Sequence, residues 1–143
     1  MIKVEKSVFI NKPVEEVFGF LVAEGNGTKW QNGVLDVLDE GPRNTVGSRY
    51  TEVRKFMGKE MRSTVELTEY VPNSRYAGKV LQGPVPYEST ITLESVEGGT
   101  RMTTCVDGEP KGFFKLADSL VAGQLEKSME EDGQKLKAIL ENF

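Results

Sequence analysis

The stretch GFFKLADSLVAGQLEKSMEEDGQKLKAILENF, from Gly112 to Phe143, decides the fold of this chain. It contains no proline, and its apolar side chains recur at steps of three, four and seven residues. Residues at these steps share one face of an α-helix. The pattern therefore predicts a C-terminal amphipathic helix of more than about 25 residues. Its apolar stripe consists of Val121, Leu125, Met129, Leu136, Ile139, Leu140 and Phe143.

The residues before this helix alternate between apolar and polar side chains and are divided by turn signals. Such alternation is typical of half-buried strands. Asn11-Lys12-Pro13 interrupts it and predicts the start of a short helix with Asn11 as its cap, and a helical turn with a loop follows in 24–33. The predicted strands are 2–10, 34–39, 47–56, 60–70, 75–81, 87–96 and 100–107.

This order of elements predicts an α+β fold in one domain spanning residues 1–143. Glycine-containing turns after Phe56 and Val96 join successive strands, as hairpins do, so the seven strands should form an antiparallel meander. Two short helices follow the first strand. One face of the sheet has to be covered, and the C-terminal helix is the only element long enough to do it.

Composition limits the functions that need consideration. The net charge is −4, which disfavours nucleic acid or an anionic membrane surface as a partner. No run approaches the ~20 apolar residues of a membrane-spanning helix, so integral membrane association is not expected. The N-terminus lacks a secretory signal, and the single cysteine, Cys105, suits a reducing compartment. We therefore expect a cytoplasmic protein.

The chain contains no histidine. This excludes Ser-His-Asp and Cys-His catalysis and most zinc or non-haem iron sites. Any catalysis would fall to Asp, Glu, Lys, Arg, Tyr or water, and the sequence identifies no catalytic residue among them. It predicts no metal site and no cofactor.

Six aromatic residues are candidates for a ligand-binding cavity. Aromatic side chains give such cavities apolar walls, and tyrosines add a hydroxyl that orients a ligand. Plain core packing is the alternative for the same residues. The set is Trp30, Tyr50, Tyr76, Tyr87, Phe113 and Phe114.

Strand geometry and helical spacing predict which residues would border such a cavity. Side chains two residues apart share a strand face, and residues seven apart share a helix face. A bent sheet and a straight helix diverge toward one end, where methionine and aromatic side chains fill the gap adaptably. The predicted border is Met61, Val65, Tyr87, Ile91, Met102, Phe113 and Leu120.

Glu52 and Arg54 lie two residues apart on the third predicted strand and therefore share a face. If that face points inward, they form an acid/base or anchoring pair; if outward, they form a solvated surface pair. The alternation of polarity does not fix the direction. Because charged residues are rarely buried, the surface interpretation is favoured.

Several motifs in order resemble the START-like (SRPBCC) superfamily, and most closely its polyketide cyclase/dehydrase and lipid-transport branch. The resemblance covers nearly the whole chain. It implies a helix-grip fold, in which a curved seven-stranded antiparallel sheet wraps around a long C-terminal helix with a hydrophobic cavity between them. The motifs are 11–18, Trp30, Gly41-Pro42, 46–48, Gly58, 67–72, Arg75, 98–100 and the final amphipathic helix.

The resemblance leaves three functions open, because one fold serves many activities. The leading prediction is binding of a small hydrophobic molecule, lipid-like or aromatic and polyketide-like. The alternatives are a cyclase or dehydratase and a chaperone-cofactor-like interaction domain whose protein partner is unknown. Inward ionisable groups would favour the enzyme, a purely apolar cavity would favour binding, and a large exposed apolar patch would favour interaction.

Overall fold

Seven strands form one antiparallel sheet in the computed structural model, which describes residues 2–38, 45–109 and 118–142. Their order across the sheet is β1-β7-β6-β5-β4-β3-β2, so the first strand lies beside the last and the others follow as a meander. The strand ends agree with the predicted ones to within two residues, and the predicted end of the second strand, Asp39, lies outside the described residues. The strands are β1 (Ile2–Ile10), β2 (Val34–Leu38), β3 (Arg49–Phe56), β4 (Lys59–Val71), β5 (Arg75–Gln82), β6 (Tyr87–Val96) and β7 (Gly99–Gly108).

Two tight turns set the register of the meander. Met57 and Gly58 join β3 to β4, and Glu97 and Gly98 join β6 to β7, with positive φ at all four residues. Positive φ at both central residues matches the right-handed twist of the flanking strands. The predicted hairpins at these positions are confirmed.

The short helix α1 (Val14–Val22) follows β1 and packs Val17, Phe18 and Leu21 into the interior. Pro13 occupies the cap position, and no side chain caps the helix. The predicted Asn11 cap is therefore wrong. Instead, the backbone N–H of Asn11 donates to Glu141 Oε2 at 2.7 Å, at the far end of the chain.

Helix α2 (Gly27–Trp30) is a single turn, and helix α3 (Asp118–Glu141) covers the sheet. The apolar stripe of α3 faces the sheet as predicted: Val121, Leu136 and Leu140 are buried, and Leu125, Met129 and Ile139 are half-buried. The predicted helix start at Gly112 and the stripe residue Phe143 lie outside the described residues.

The sheet is curled into a half-barrel and grips α3, with a core at each end of the helix. One core joins Leu136 and Leu140 to α1 and to β6 and β7. The other joins Val121 to β1 and to Met61 of β4. The predicted α+β architecture, a curved antiparallel sheet around a C-terminal helix, is confirmed, and the site described next lies between these two cores.

Candidate functional site

A cavity of about 180 Å³ lies between α3 and the concave face of the sheet. Its walls come from β3 to β7, from the region around α2, and from α3. Side chains of alternate residues reach it from each strand because successive side chains point to opposite faces. On β4 these are Met61, Val65 and Leu67, which are buried, while Arg62 after Met61 and Thr68 after Leu67 are exposed.

Eight of the residues expected at a ligand site line this cavity. They come from α2, β3, β4, β5, β6 and β7, so the curled sheet brings together residues that are far apart in sequence. Their part in binding stays a prediction. The eight are Trp30, Tyr50, Met61, Val65, Tyr76, Tyr87, Ile91 and Met102.

Leu120 does not line the cavity, and this expectation is corrected. Its side chain is 68% exposed, whereas the next residue, Val121, is 5% exposed and lines the cavity with Leu125. One residue corresponds to a rotation of about 100° around a helix, which takes Leu120 off the inner face. Phe113 and Phe114 lie outside the described residues.

A polar cluster stands within this largely apolar wall. Glu52 Oε1 accepts a hydrogen bond from Arg54 Nε at 2.9 Å and another from the Tyr87 hydroxyl at 3.0 Å. Arg54 Nη2 donates to Gln31 Oε1 at 3.1 Å, just after α2. The cluster therefore ties β3, β6 and the segment after α2 together across the cavity.

The surface interpretation of Glu52 and Arg54 is wrong. Glu52 is 8% exposed, both side chains line the cavity, and together they form a short ion pair. Val53 between them is also buried, so polarity alone could not indicate which way the Glu52 face points. Burial is tolerated because the charges are paired and further hydrogen bonds satisfy them.

The surroundings of the cluster hold Arg54 and Tyr87 in fixed protonation states. Burial, the largest single influence, would lower the pKa of Arg54, but the charge of Glu52, its hydrogen bond to Arg54 and the nearby Tyr87 and Asp132 together outweigh burial, so the pKa lies above its ordinary value. Burial, and then the neighbouring Glu52 charge, raise the pKa of Tyr87 well above its ordinary value. Arg54 is therefore a fixed cation and Tyr87 a fixed hydroxyl donor at physiological pH.

Asp132 is a second buried carboxyl group, contributed by α3. It is 8% exposed and lines the cavity, and its Oδ1 accepts a hydrogen bond from the backbone N–H of Asn32 at 3.1 Å. Burial raises the pKa of Asp132, although the Asn32 N–H and the charge of Arg54 oppose the shift. This carboxyl group is closer than an ordinary aspartate to holding a proton at neutral pH.

Sequence reasoning missed Gln31 and Asp132. Asp132 belongs to the acidic run 130–132, which favours a solvated face, yet it falls three residues after Met129 and four before Leu136, on the apolar stripe. A charged residue on that stripe is the signal that indicates an inward carboxyl group. Gln31 gave no comparable signal.

The chemistry open to this arrangement is hydrogen bonding and proton transfer beside an apolar surface. Among the described residues, no group of three or more Cys, Asp and Glu side chains could hold a metal ion. Cys105 faces away from the cavity, on the strand face opposite Thr104 and Val106, and burial raises the pKa of its thiol. Glu52, Arg54 and Asp132 are the charged side chains that line the cavity.

The fold and the cavity define a helix-grip protein with an internal space between sheet and helix. Residues 1–141 match the family described as polyketide cyclase / dehydrase and lipid transport. The chain therefore belongs to this family, whose fold is of the kind that binds hydrophobic ligands. No curated protein matches the chain.

Solved structures show the same fold at low sequence identity. A START superfamily protein from Mycobacterium smegmatis has a TM-score of 0.83 and 13% identity, with 98% of this chain and 97% of that chain covered. A conserved protein from Geobacillus kaustophilus has a TM-score of 0.80 and 19% identity, with 99% and 96% covered. A Thermus thermophilus protein has a TM-score of 0.76 and 21% identity, with 96% and 98% covered.

None of the helices within residues 2–38, 45–109 and 118–142 combines the length and the apolar character needed to cross a membrane.

Proposed function

We propose that the protein binds a small hydrophobic molecule in the cavity between α3 and the sheet. The observation that carries this proposal is an open space of about 180 Å³ inside an otherwise packed interior. Protein interiors leave few voids larger than a water molecule. A space of this size between a sheet and its covering helix is therefore room for a bound molecule.

The size of the cavity points to a compact ligand. An engineered apolar cavity of about 150 Å³ holds one benzene molecule, whereas pockets for drug-sized ligands measure about 300–1,000 Å³. The cavity of this protein therefore suits one or two fused rings, or an alkyl group of similar volume. Its walls offer aromatic surface from Trp30 and Tyr76 and adaptable side chains from Met61, Met102 and Met129.

A cyclase- or dehydratase-type enzyme is the second candidate, supported by the ionisable groups that face the cavity. The protonation states narrow what these groups would do. Arg54 and Tyr87 both have raised pKa values, so they suit orienting a carbonyl or hydroxyl group better than exchanging protons. Asp132 is the group best suited to proton transfer. Because most of the cavity wall is apolar, we propose ligand binding ahead of catalysis.

A saturable probe titration tests the binding proposal. A hydrophobic fluorescent probe should bind the native protein at one site, and Ile91→Trp should abolish binding because the indole would project from β6 into the cavity. Thr92→Trp is the matched control, because it adds the same indole one residue along, on the opposite face of the strand. It should bind the probe as the parent does, and circular dichroism should show both variants folded.

Two results would contradict the proposal. One is equal binding of the probe by both variants, which would show that the probe binds outside the cavity. The other is failure of every apolar probe to bind, which would leave the interaction-domain alternative.

We place the protein in the cytoplasm with a small-molecule partner and no nucleic acid, on the support of the single cysteine and the net charge of −4.

A further inference from the structure

The polar atoms at the cavity wall are not equally engaged. Glu52 Oε1 already accepts two hydrogen bonds, and Arg54 uses Nε and Nη2 for Glu52 and Gln31. Asp132 uses Oδ1 for the backbone N–H of Asn32. Its second oxygen, Oδ2, has no hydrogen-bond partner within the described part of the chain.

An unengaged oxygen on a side chain that is 8% exposed is costly unless something binds to it. Asp132 also lines the cavity, on the same face of α3 as Met129 and Gly133. The carboxyl group is held in place by its bond to Asn32, and Lys135 Nζ donates to the Asn32 side chain at 2.8 Å. The acceptor is therefore fixed in direction before a ligand arrives.

The charges around the cavity decide which polar group suits that acceptor. Two carboxyl groups, Glu52 and Asp132, stand at the wall with one guanidinium group, Arg54, which is already paired with Glu52 at 2.9 Å. A ligand carboxylate would bring a third carboxyl group to this wall, and like charges in a poorly solvated space repel strongly. Binding of an acidic ligand is therefore disfavoured.

A hydroxyl group avoids this conflict. It donates to Asp132 when the carboxyl group is ionised and accepts from it when the carboxyl group is protonated. It is neutral, so the apolar part of the cavity does not have to accommodate a charge. A ketone offers no donor to the ionised form, and an ammonium group would require burial of a further charge beside Arg54.

We propose that Asp132 is the specificity-determining residue of the cavity, and that it selects a neutral hydroxyl-bearing ligand, such as a phenol or an alcohol, over a carboxylic acid of the same shape. This rests on the proposed function, because it assigns the polar end of the same bound molecule. The volume of about 180 Å³ leaves room for one or two rings attached to that hydroxyl.

Three compounds of one shape test the proposal: naphthalene, 2-naphthol and 2-naphthoate, titrated by calorimetry at pH 7. A hydrogen bond to a charged group is worth about 1.5–3 kcal/mol, so 2-naphthol should bind at least tenfold more tightly than the other two compounds. If naphthalene and 2-naphthol bind equally, or 2-naphthoate binds best, the selectivity proposal is overturned while cavity binding stands. If none of the three binds, the proposed function itself fails.

The variant Asp132→Asn sharpens the test. Its carbonyl oxygen still accepts from Asn32, but an NH₂ group replaces the second oxygen, so the cavity gains a donor and loses a carboxyl group. The preference for 2-naphthol over 2-naphthoate should fall at least tenfold. Glu131→Gln makes the same chemical change at the preceding residue, which is exposed, and should leave the preference for 2-naphthol unchanged. An unchanged preference in a folded Asp132→Asn variant would overturn the assignment.

Discussion

The Tyr87 hydroxyl donates a hydrogen bond to Glu52 Oε1 at 3.0 Å, although two strands, β4 and β5, separate their strands in the sheet. Neighbouring strands lie about 4.8 Å apart, so a flat sheet would hold β3 and β6 about 14 Å apart. The side chains meet because the sheet curls around α3 and both project from its concave face. This bond closes the cavity wall across the half-barrel.

Breaking the buried ion pair should destabilise the fold. Removing one partner of such a pair leaves an uncompensated buried charge, which costs about 3–5 kcal/mol. We expect Glu52→Gln to lower the free energy of unfolding by this order, since Arg54 would lose its short ion pair at 2.9 Å. Urea denaturation followed by circular dichroism measures the change.

The control for this prediction is the double variant Glu52→Gln with Arg54→Met. If the pair acts as a unit, the double variant should lose less stability than the sum of the two single variants. Additive losses, or a Glu52→Gln variant as stable as the parent, would show that the pair is solvated and makes no net contribution.

Tyr87→Phe should lower the free energy of unfolding by less than Glu52→Gln does, because it removes one hydrogen bond and leaves Glu52 paired with Arg54. A hydrogen bond to a charged acceptor is worth about 1.5–3 kcal/mol, and the loss in unfolding free energy should lie in this range. Tyr70→Phe is a suitable comparison for a tyrosine that does not line the cavity. A loss in Tyr87→Phe no larger than in Tyr70→Phe would contradict a bond across the half-barrel.

The fold could be predicted from the sequence because its signals are local and repeated. The stripe containing Val121, Leu136 and Leu140 predicts a helix at every turn, and the glycine turns at Gly58 and Gly98 fix where strands reverse. Each signal depends only on neighbours in sequence. The antiparallel order and the covering helix follow from them.

The pairing of polar groups in the site could not be predicted, since it depends on contacts between residues far apart in sequence. Glu52 is hydrogen-bonded to Tyr87, which lies 35 residues later in the sequence. Asn32 is hydrogen-bonded to Asp132, which lies 100 residues later. The sequence also did not indicate which way the Glu52 face points, because the apolar Val53 beside it is buried on the opposite face. The curl of the sheet determines that Glu52 and Arg54 face inward, whereas Asp132 had a local signal, its position on the apolar stripe of α3.

Leu136 anchors α3 in the core, and its side chain has no exposed surface. Truncation of a fully buried leucine leaves a cavity and costs about 2–5 kcal/mol. Leu136→Ala should therefore lower the unfolding free energy by this amount, measured from the denaturant midpoint at constant m-value. Leu120→Ala on the same helix should change it by less than about 0.5 kcal/mol, because that side chain is 68% exposed. Equal effects of the two changes would show that the stripe is misassigned.

Gly123 offers a way to stabilise the protein. It lies inside α3 and is exposed, and a Cβ atom there would meet nothing within 4 Å. Alanine in a helix interior is favoured over glycine by about 0.5–1 kcal/mol, so Gly123→Ala should raise the thermal midpoint. Gly98→Ala should lower it, because Gly98 has a φ of 82°. A lower midpoint for Gly123→Ala would contradict a regular helix at this position.

The carboxyl group of Asp132 should make stability depend on pH. Burial raises its pKa in the folded protein, Glu131 adds to the shift, and the Asn32 N–H, Arg54 and Lys135 oppose it. A carboxyl group whose pKa is raised by folding stabilises the protein below its unfolded pKa, about 3.9. That contribution is lost as the pH rises through the folded pKa, because ionisation then leaves a buried charge.

Asp132→Asn removes this titration and keeps the acceptor for Asn32. The variant should gain stability relative to the parent as the pH rises from 4 to 8, and the two should converge or reverse toward pH 4. Thermal unfolding at a series of pH values measures the difference. A difference between Asp132→Asn and the parent that grows toward low pH would show that Asp132 is stabilised in its ionised form, and that the burial of its carboxyl group is compensated.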